Sequence, residues 1–565
     1  MNKFQIMDIA AGKKPADLVF KNARVVDVLA GRIIEGDVAV ADGVIAGIGS
    51  YSGVIEVDCT DKYLSPGFIN CHCHIESVMI TPDGYAVEEI KCGTTTIITD
   101  PHEIANVAGT EGLDYMLSYW DKLPVDYYMQ LPSCVPATPM ENAGAVLLAQ
   151  DLAPYKSSST VLGLGEVMNV PGVLAQDSEV HAKLELFEGG IVDGHSPGLT
   201  GHGLSSYVLS GITTDHESTT FQEAVEKVSN GIAVLVREGS ASKNLHNILK
   251  PFIQQGLSTH RLAFCTDDKH LADITEEGTI SHCIRLATKL GMPPIQAIQM
   301  ATINGANIYG LSGKGAIAPG YAADLVVLGS LVGLEVLQVY KDGVQVCENG
   351  SYIGEPLHPE PCTEGISHSV RLPALSVDSF ALSSRAVHPV INMIAGEILT
   401  KREDIPAAQA LQELREGTIC KIASIERHGG SGGIGVGLLR GYGIRNGAIA
   451  GTIAHDSHNL LVAGDNDSDM LLAAERAAEL QGGYVLVQHG CVVQELPLPI
   501  AGLMSDLPAS ALSEAVEAMV HSIRKAGVGK DIDPLTTLSF MALPVIPEIR
   551  ITDRGMMDTC KGELI

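Results

Sequence analysis

Hydrophobic positions in the middle of the chain come in short blocks. Runs of β-branched and aliphatic residues at 94–100, 127–131, 161–165, 191–193, 212–214, 232–236 and 262–265 each end in turn residues, and most junctions carry a polar or metal-capable side chain. Between several blocks the period becomes helical: over 221–229, Phe221, Ala224, Val225 and Val228 recur at helical spacing. Strand and helix in alternation predict a parallel sheet. With one more strand, closing at His72-Cys73-His74, eight units fall within about 250 residues, the size of a (β/α)8 barrel with its active site at the C-terminal strand ends. Strand alternation turns His72 and His74 to one side, where they can share a metal ion, and predicts Cys71 and Cys73 to face the other way as packing residues.

The flanks read differently. Residues 17–28 and 36–49 alternate apolar and polar positions around Asp-Gly turns, and residues 320–328 and 339–346 repeat the pattern after the barrel; these are hairpin signals. Residues 356–373, rich in proline, histidine and glutamate, read as a linker. From about 371 the pattern predicts a folded α+β domain with helices over 469–480 and 509–525.

A chain of 565 residues needs two or three cores. Its 12 cysteines form no C-x2-C pair and no secretory signal precedes them, so reduced thiols and a cytoplasmic location are expected. With 37 basic against 67 acidic residues, the net charge of −30 opposes nucleic-acid binding. No apolar run approaches the roughly 20 residues of a membrane helix. Aromatic content of 4% leaves few stacking platforms, which favours a closed small-molecule pocket.

Metal-capable residues gather at the expected strand ends: His72 and His74 after the first strand, His102 and Glu103 after the second, Glu166 after the fourth, His195 after the fifth, His216 and Glu217 after the sixth, Asp267 after the eighth. This constellation resembles the amidohydrolase superfamily, metal-dependent hydrolases built on this barrel. The longer motifs Asp100-Pro-His-Glu-Ile-Ala-Asn-Val, Gly165-Glu-Val-Met-Asn, Asp193-Gly-His-Ser-Pro-Gly, Thr214-Asp-His-Glu-Ser and Ala454-His-Asp-Ser-His-Asn resemble, within it, the bacterial adenine deaminase family over nearly the whole chain.

The resemblance implies an α/β fold of three parts: a barrel over 66–316, a discontinuous β-sandwich from 1–65 plus 317–360, and an additional α+β domain over 371–565. It implies two divalent metal ions, usually manganese, with iron or zinc equally suited by ligand type. His72, His74 and Asp267 would bind one, His195 and His216 the other, and Glu166 would bridge them where many relatives use a carboxylated lysine. The implied reaction is hydrolysis of adenine to hypoxanthine and ammonia in purine salvage, by an enzyme that commonly self-associates. Asp267 would shuttle the proton of the attacking water. An acid must also serve the purine ring nitrogen, and Glu103 leads a shortlist with His102, Glu217 and Glu76, the last two being equally suited to orienting imidazoles. Arg237 and Ser240 either line the pocket or make structural contacts. Two alternatives stand beside this reading: a binuclear hydrolase acting on another aminopurine or a cyclic amide, and a metal-free scaffold, against which the six filled ligand positions speak.

Two stretches of the last domain remain. Glu426-Arg-His-Gly-Gly-Ser-Gly-Gly-Ile-Gly lacks the Lys-Ser ending of a phosphate loop and reads as a turn. His455-Asp-Ser-His458 has three readings: a further metal site, a lid that brings His455 or Asp456 to the pocket, or a polar turn; His428 belongs to the same question.

Overall fold

The computed structural model describes residues 2–394 and 399–565. Eight parallel strands pair in sequence order: β1 (Phe68–Cys73), β2 (Thr94–Thr99), β3 (Asp126–Leu131), β4 (Val161–Val167), β5 (Ile191–Gly194), β6 (Thr214–Asp215), β7 (Ala233–Arg237) and β8 (Leu262–Cys265). The ends of this sheet meet. Cys73 forms a parallel bridge with Asp267, the Asp267 N–H donates to the His72 carbonyl at 3.0 Å, and the Asn70 side-chain amide donates to Thr266 Oγ1 at 2.8 Å.

β1 carries a bulge that decides where its histidines point. Asn70 pairs with Ile97 but Cys73 with Thr99, three steps against two. An extra residue in one strand re-aims its side chains. Cys71 therefore packs with Ile69, Ile98, Leu235, Ala263 and Cys265, while Cys73 joins a separate cluster with Tyr85 and Ile97. The two cysteines do not share one face as simple alternation predicts. Burial lifts the Cys73 thiol to about 12. The sixth strand also departs from expectation, since Gly211 at φ 102° turns the chain just before it and Ile212 and Thr213 are still entering the sheet.

Strands from both sides of the barrel hydrogen-bond into one nine-stranded sheet. Tyr63–Pro66 runs antiparallel to Leu325–Leu328, joining segments that the whole barrel separates in sequence. A half-buried ion network ties this sheet to the start of β3: Lys314 lies 2.6 Å from Asp126 and 2.8 Å from Asp324, and Lys341 lies 3.1 Å from Asp324.

The last part is an eight-stranded sheet with the helix Asp467–Glu479 packed across it through Met470, Ala473, Ala474 and Ala477. A second helix, Ala509–Lys525, matches the periodicity of the sequence. The segment read as a linker is tied down at two points. The Glu360 N–H donates to the Tyr119 hydroxyl at 2.8 Å, and the buried Ile366 accepts the Ala501 N–H through its carbonyl at 3.0 Å. Among the described residues no helix is long and apolar enough to cross a membrane.

Candidate metal centre

Five strand ends supply one buried pocket. The bulged β1 turns in His72 and His74, β4 delivers Glu166, and the turns after β5, β6 and β8 deliver His195, His216 and Asp267. Glu166 stands between two pairs of imidazoles. Its Oε1 lies 3.1 Å from His72 Nε2 and 2.8 Å from His74 Nε2; its Oε2 lies 2.7 Å from His195 Nδ1 and 3.5 Å from His216 Nε2. Asp267 Oδ1 joins the first pair, 3.1 Å from His74 Nε2 and 3.6 Å from His72 Nε2. Gly165 allows this approach, because a Cβ there would collide with the Asp100 carboxylate that accepts the Glu166 N–H at 2.8 Å.

The pocket's field favours positive charge. Burial alone would push His72 down, but the carboxylates of Asp267 and Glu166 outweigh it and raise the imidazole to about 9. His195 also rises to about 9, burial being overcome by Glu217 and Glu166. Against burial, the His216 and His74 imidazoles hold Glu166 well below the usual carboxylate range, and Arg237 does the same for Asp267. His216 Nε2 is buried without a hydrogen-bond partner among the described residues. Four imidazoles and two carboxylates converging in this way fit divalent cations.

Arg237 resolves into an ion pair. It donates to Asp267 Oδ2 at 2.7 Å, to both oxygens of Glu217 (Oε2 at 3.1 Å), and through Nε to Asn244 at 3.1 Å. Glu217 Oε1 in turn faces the second pair, 3.5 Å from His216 Nε2 and 3.8 Å from His195 Nδ1. Ser240 ties its loop to the segment after β8, donating its hydroxyl to Asp273 and accepting the His270 N–H at 2.8 Å. Glu76 accepts the Ile104 N–H at 3.2 Å, and burial lifts its carboxyl to about 7.

The C-terminal part reaches the same mouth. Between the strands Gly447–Gly451 and Leu460–Gly464, the turn over 452–459 brings His455 Nδ1 to 2.9 Å from Glu103 Oε1 and His458 Nε2 onto Glu103 Oε2. The Ala454 N–H donates to His458 Nδ1 at 3.2 Å. That nitrogen is thus an acceptor, the ring proton sits on Nε2, and no lone pair remains there for a cation. Glu103, His455 and His458 gather closely enough to hold a cation, but this tautomer withdraws His458 from such a site. Burial and His455 take His458 down to about 4, whereas Glu103, against burial, raises His455 to about 9. Glu103 itself is held well below the usual range by both imidazoles, again against burial.

Asp456 stands apart from this clamp. Its Oδ2 is buried with no hydrogen-bond partner among the described residues, it groups with His102 and Glu103, and burial raises it to about 6. His102 lies between the two clusters, Nε2 3.4 Å from Glu103 Oε1 and Nδ1 3.8 Å from Glu166 Oε1. The glycine-rich stretch props this turn from behind. The Glu426 carboxylate accepts the N–H groups of His428 at 2.6 Å, Gly430 at 3.0 Å and Gly432 at 2.9 Å, so the amides that could cradle a phosphate are occupied. Arg427, fully buried, donates to the His458 carbonyl, to Ser369 Oγ at 3.1 Å and to the Ala501 carbonyl at 3.0 Å. His428, kept neutral by burial and Arg427, donates from Nε2 to the Ser457 carbonyl at 2.9 Å.

Reading strand ends alone passes over Asp100, whose carbonyl accepts His74 Nδ1–H at 2.9 Å while its carboxylate holds the Glu166 backbone. The signal was present, since Asp100 opens the Asp-Pro-His-Glu motif.

Comparison with known proteins agrees with this architecture. The amidohydrolase family model matches residues 63–346, and the adenine deaminase C-terminal domain model matches residues 397–563. Adenine deaminase 2 of Carboxydothermus hydrogenoformans is 43% identical over 98% of this chain and 97% of its own, as is the adenine deaminase of Desulfitobacterium hafniense. A crystal structure described as an adenine deaminase is covered completely by 59% of this chain, at 15% identity and a TM-score of 0.45. Matched along almost its entire length, the chain belongs to the amidohydrolase family, among its adenine deaminase members.

Proposed function

We propose that the protein hydrolyses adenine to hypoxanthine and ammonia with two divalent cations. The observation that carries this reading is Glu166, whose two oxygens face two separate histidine pairs. His72, His74 and Asp267 would hold one cation, His195 and His216 the other, with Glu166 between them. Manganese is the proposed metal; iron and zinc use the same donors. Bound cations would lower the pKa of water enough to supply a nucleophile near neutral pH.

The protein's own groups do the rest. Asp267 Oδ1 faces the cluster while Arg237 fixes Oδ2, so the carboxylate is aimed to take the proton of the attacking water and return it to the leaving amine. The geometry argues against Glu103 as acid to the ring nitrogen, because both of its oxygens are engaged and its ionised form is favoured. Asp456 is the better-supported donor: it is buried, unpartnered at Oδ2 and raised toward neutrality. His102 then lines the pocket, and Glu217 and His455 act as orienting groups.

The test is ammonia release from adenine by protein produced with iron chelated and manganese supplied, with metal analysis of the same sample. Release with about two metals per chain is expected. Two metals without release would discard adenine as substrate, and no bound metal would overturn the hydrolase reading.

A further inference from the structure

The two histidine pairs are held by different means. His72 and His74 come from one strand, and the hydrogen bonds that close the barrel fix their backbone to Asp267. His195 and His216 come from two separate turns. The strand before His216 is only two residues long, and His216 lies just past its end. Little of the sheet ladder positions that second pair.

A buried lysine spans the gap. Lys227, on the helix Phe221–Ser229, has no exposed side-chain surface. Its ammonium points inward and uses all three donors: to Asp215 Oδ1 at 2.6 Å, Glu223 Oε1 at 2.9 Å and the Ser196 carbonyl at 2.9 Å. Ser196 directly follows His195, and Asp215 directly precedes His216. Asp215 Oδ2 also accepts the Ser196 N–H at 2.9 Å and its hydroxyl at 2.6 Å, while Oδ1 accepts the Glu217 N–H at 3.0 Å. Glu223 takes the Gly198 N–H at 2.8 Å and the Thr219 N–H at 3.2 Å. Each turn is thus gripped on the backbone beside its histidine, and the ammonium joins the two grips.

We infer that Lys227, through Asp215 and Glu223, is a positioning residue that sets the spacing of His195 and His216, and hence the affinity of the second cation site alone. A buried ammonium is costly unless paired, and a hydrophobic side chain of similar length would fill the same volume. Two of the partners of Lys227, Ser196 and Asp215, adjoin the two histidines, and the third, Glu223 on its own helix, accepts an N–H from each of the two turns. It touches neither the imidazoles nor Glu166, so its effect must pass through the backbone on either side. Partners of this kind typically change metal affinity by about 10- to 100-fold.

The inference rests on the two-cation reading, and the experiment separates them. Chelator-stripped wild-type protein and Lys227→Met are titrated with Mn2+ by calorimetry, with free Mn2+ followed by electron paramagnetic resonance. Wild type should bind two ions. Lys227→Met should keep one site at wild-type affinity and weaken the other at least about tenfold. Equal affinities at both sites in the two proteins, or a parallel loss at both, overturns the inference alone. A wild type that binds a single ion overturns the two-cation reading and this inference with it. Should Lys227→Met fail to fold, Glu223→Gln, which keeps the shape and one oxygen acceptor, is titrated in its place; a selective loss at one site supports the inference and two unchanged sites overturn it.

Discussion

The pocket around Glu166 and the clamp around Glu103 lie side by side, both buried and both built of imidazoles on a carboxylate, yet they are assembled in opposite ways. Every group around Glu166 comes from the rim of one barrel, and His216 Nε2 is left without a hydrogen-bond partner. Glu103 takes its partners from a turn 352 and 355 residues away, and each imidazole donates a hydrogen bond to it. Residue type alone does not distinguish a cation site from a docking contact. What distinguishes them is the far side of each ring: His458 Nδ1 receives a backbone N–H, which fixes its tautomer, whereas His74 Nδ1 donates to the Asp100 carbonyl and leaves its Nε2 lone pair facing the pocket.

This contrast can be broken from several directions. The largest effect is expected for Glu166→Gln, where a neutral amide replaces the carboxylate between the pairs; metal content measured by atomic emission should fall at both positions and turnover by more than about 100-fold. Full metal content with normal turnover would remove Glu166 from the centre of the pocket. Asp267→Asn should retain part of its metal but lose roughly 100- to 10,000-fold in turnover, the range of a lost proton-transfer group.

Glu103→Ala tests the other side. It removes the carboxylate that accepts from both buried imidazoles and holds His455 charged, and should destabilise the protein by about 3–5 kcal/mol in chemical denaturation, without emptying the metal pocket. Loss of both metals in a folded Glu103→Ala would merge the two clusters into one.

The clamp also has a pH signature. His455 is raised in the folded chain, so its contribution is complete below about pH 6.5 and disappears as pH rises through about 9. Glu103 is depressed, so its contribution is present above about pH 4.5 and is lost only in stronger acid. The stability gap between wild type and His455→Ala should therefore narrow from pH 7 to 9.5; a gap that widens would mean His455 is bound as the neutral ring. The smallest effect on chemistry is expected for Glu426→Gln, which weakens the amide-filled turn by about 1–3 kcal/mol and leaves metal content and turnover near wild type.

Much of this was legible in the chain because it is local. Strand β8 and the helices Phe221–Ser229 and Ala509–Lys525 fall where the hydrophobic period puts them, and His72, His74, Glu166, His195, His216 and Asp267 sit at the junctions where barrel geometry sends side chains inward. Cys71 escaped alternation because a bulge shifts the register by one residue, which no pattern of apolar positions records. The pairing of Tyr63–Pro66 with Leu325–Leu328 and the docking of His455 on Glu103 are non-local. Motif recurrence could flag His455-Asp-Ser-His458 as important, but only the folded chain supplies its partner. Lys227 was hidden for a related reason: amphipathic reading assigns lysine to solvent, and three polar partners inside the protein override that assignment.

The seam that closes the barrel carries a consequence for its dynamics. Asp267 bridges Cys73, donates its N–H to the His72 carbonyl, and adopts a left-handed backbone at φ 56° to do so. The first and last strands cannot part, even briefly, without carrying the proposed proton carrier away from His74. Local opening and loss of chemical competence are then one event, and exchange of a single amide hydrogen, that of Asp267, is expected to report the fraction of molecules that have opened.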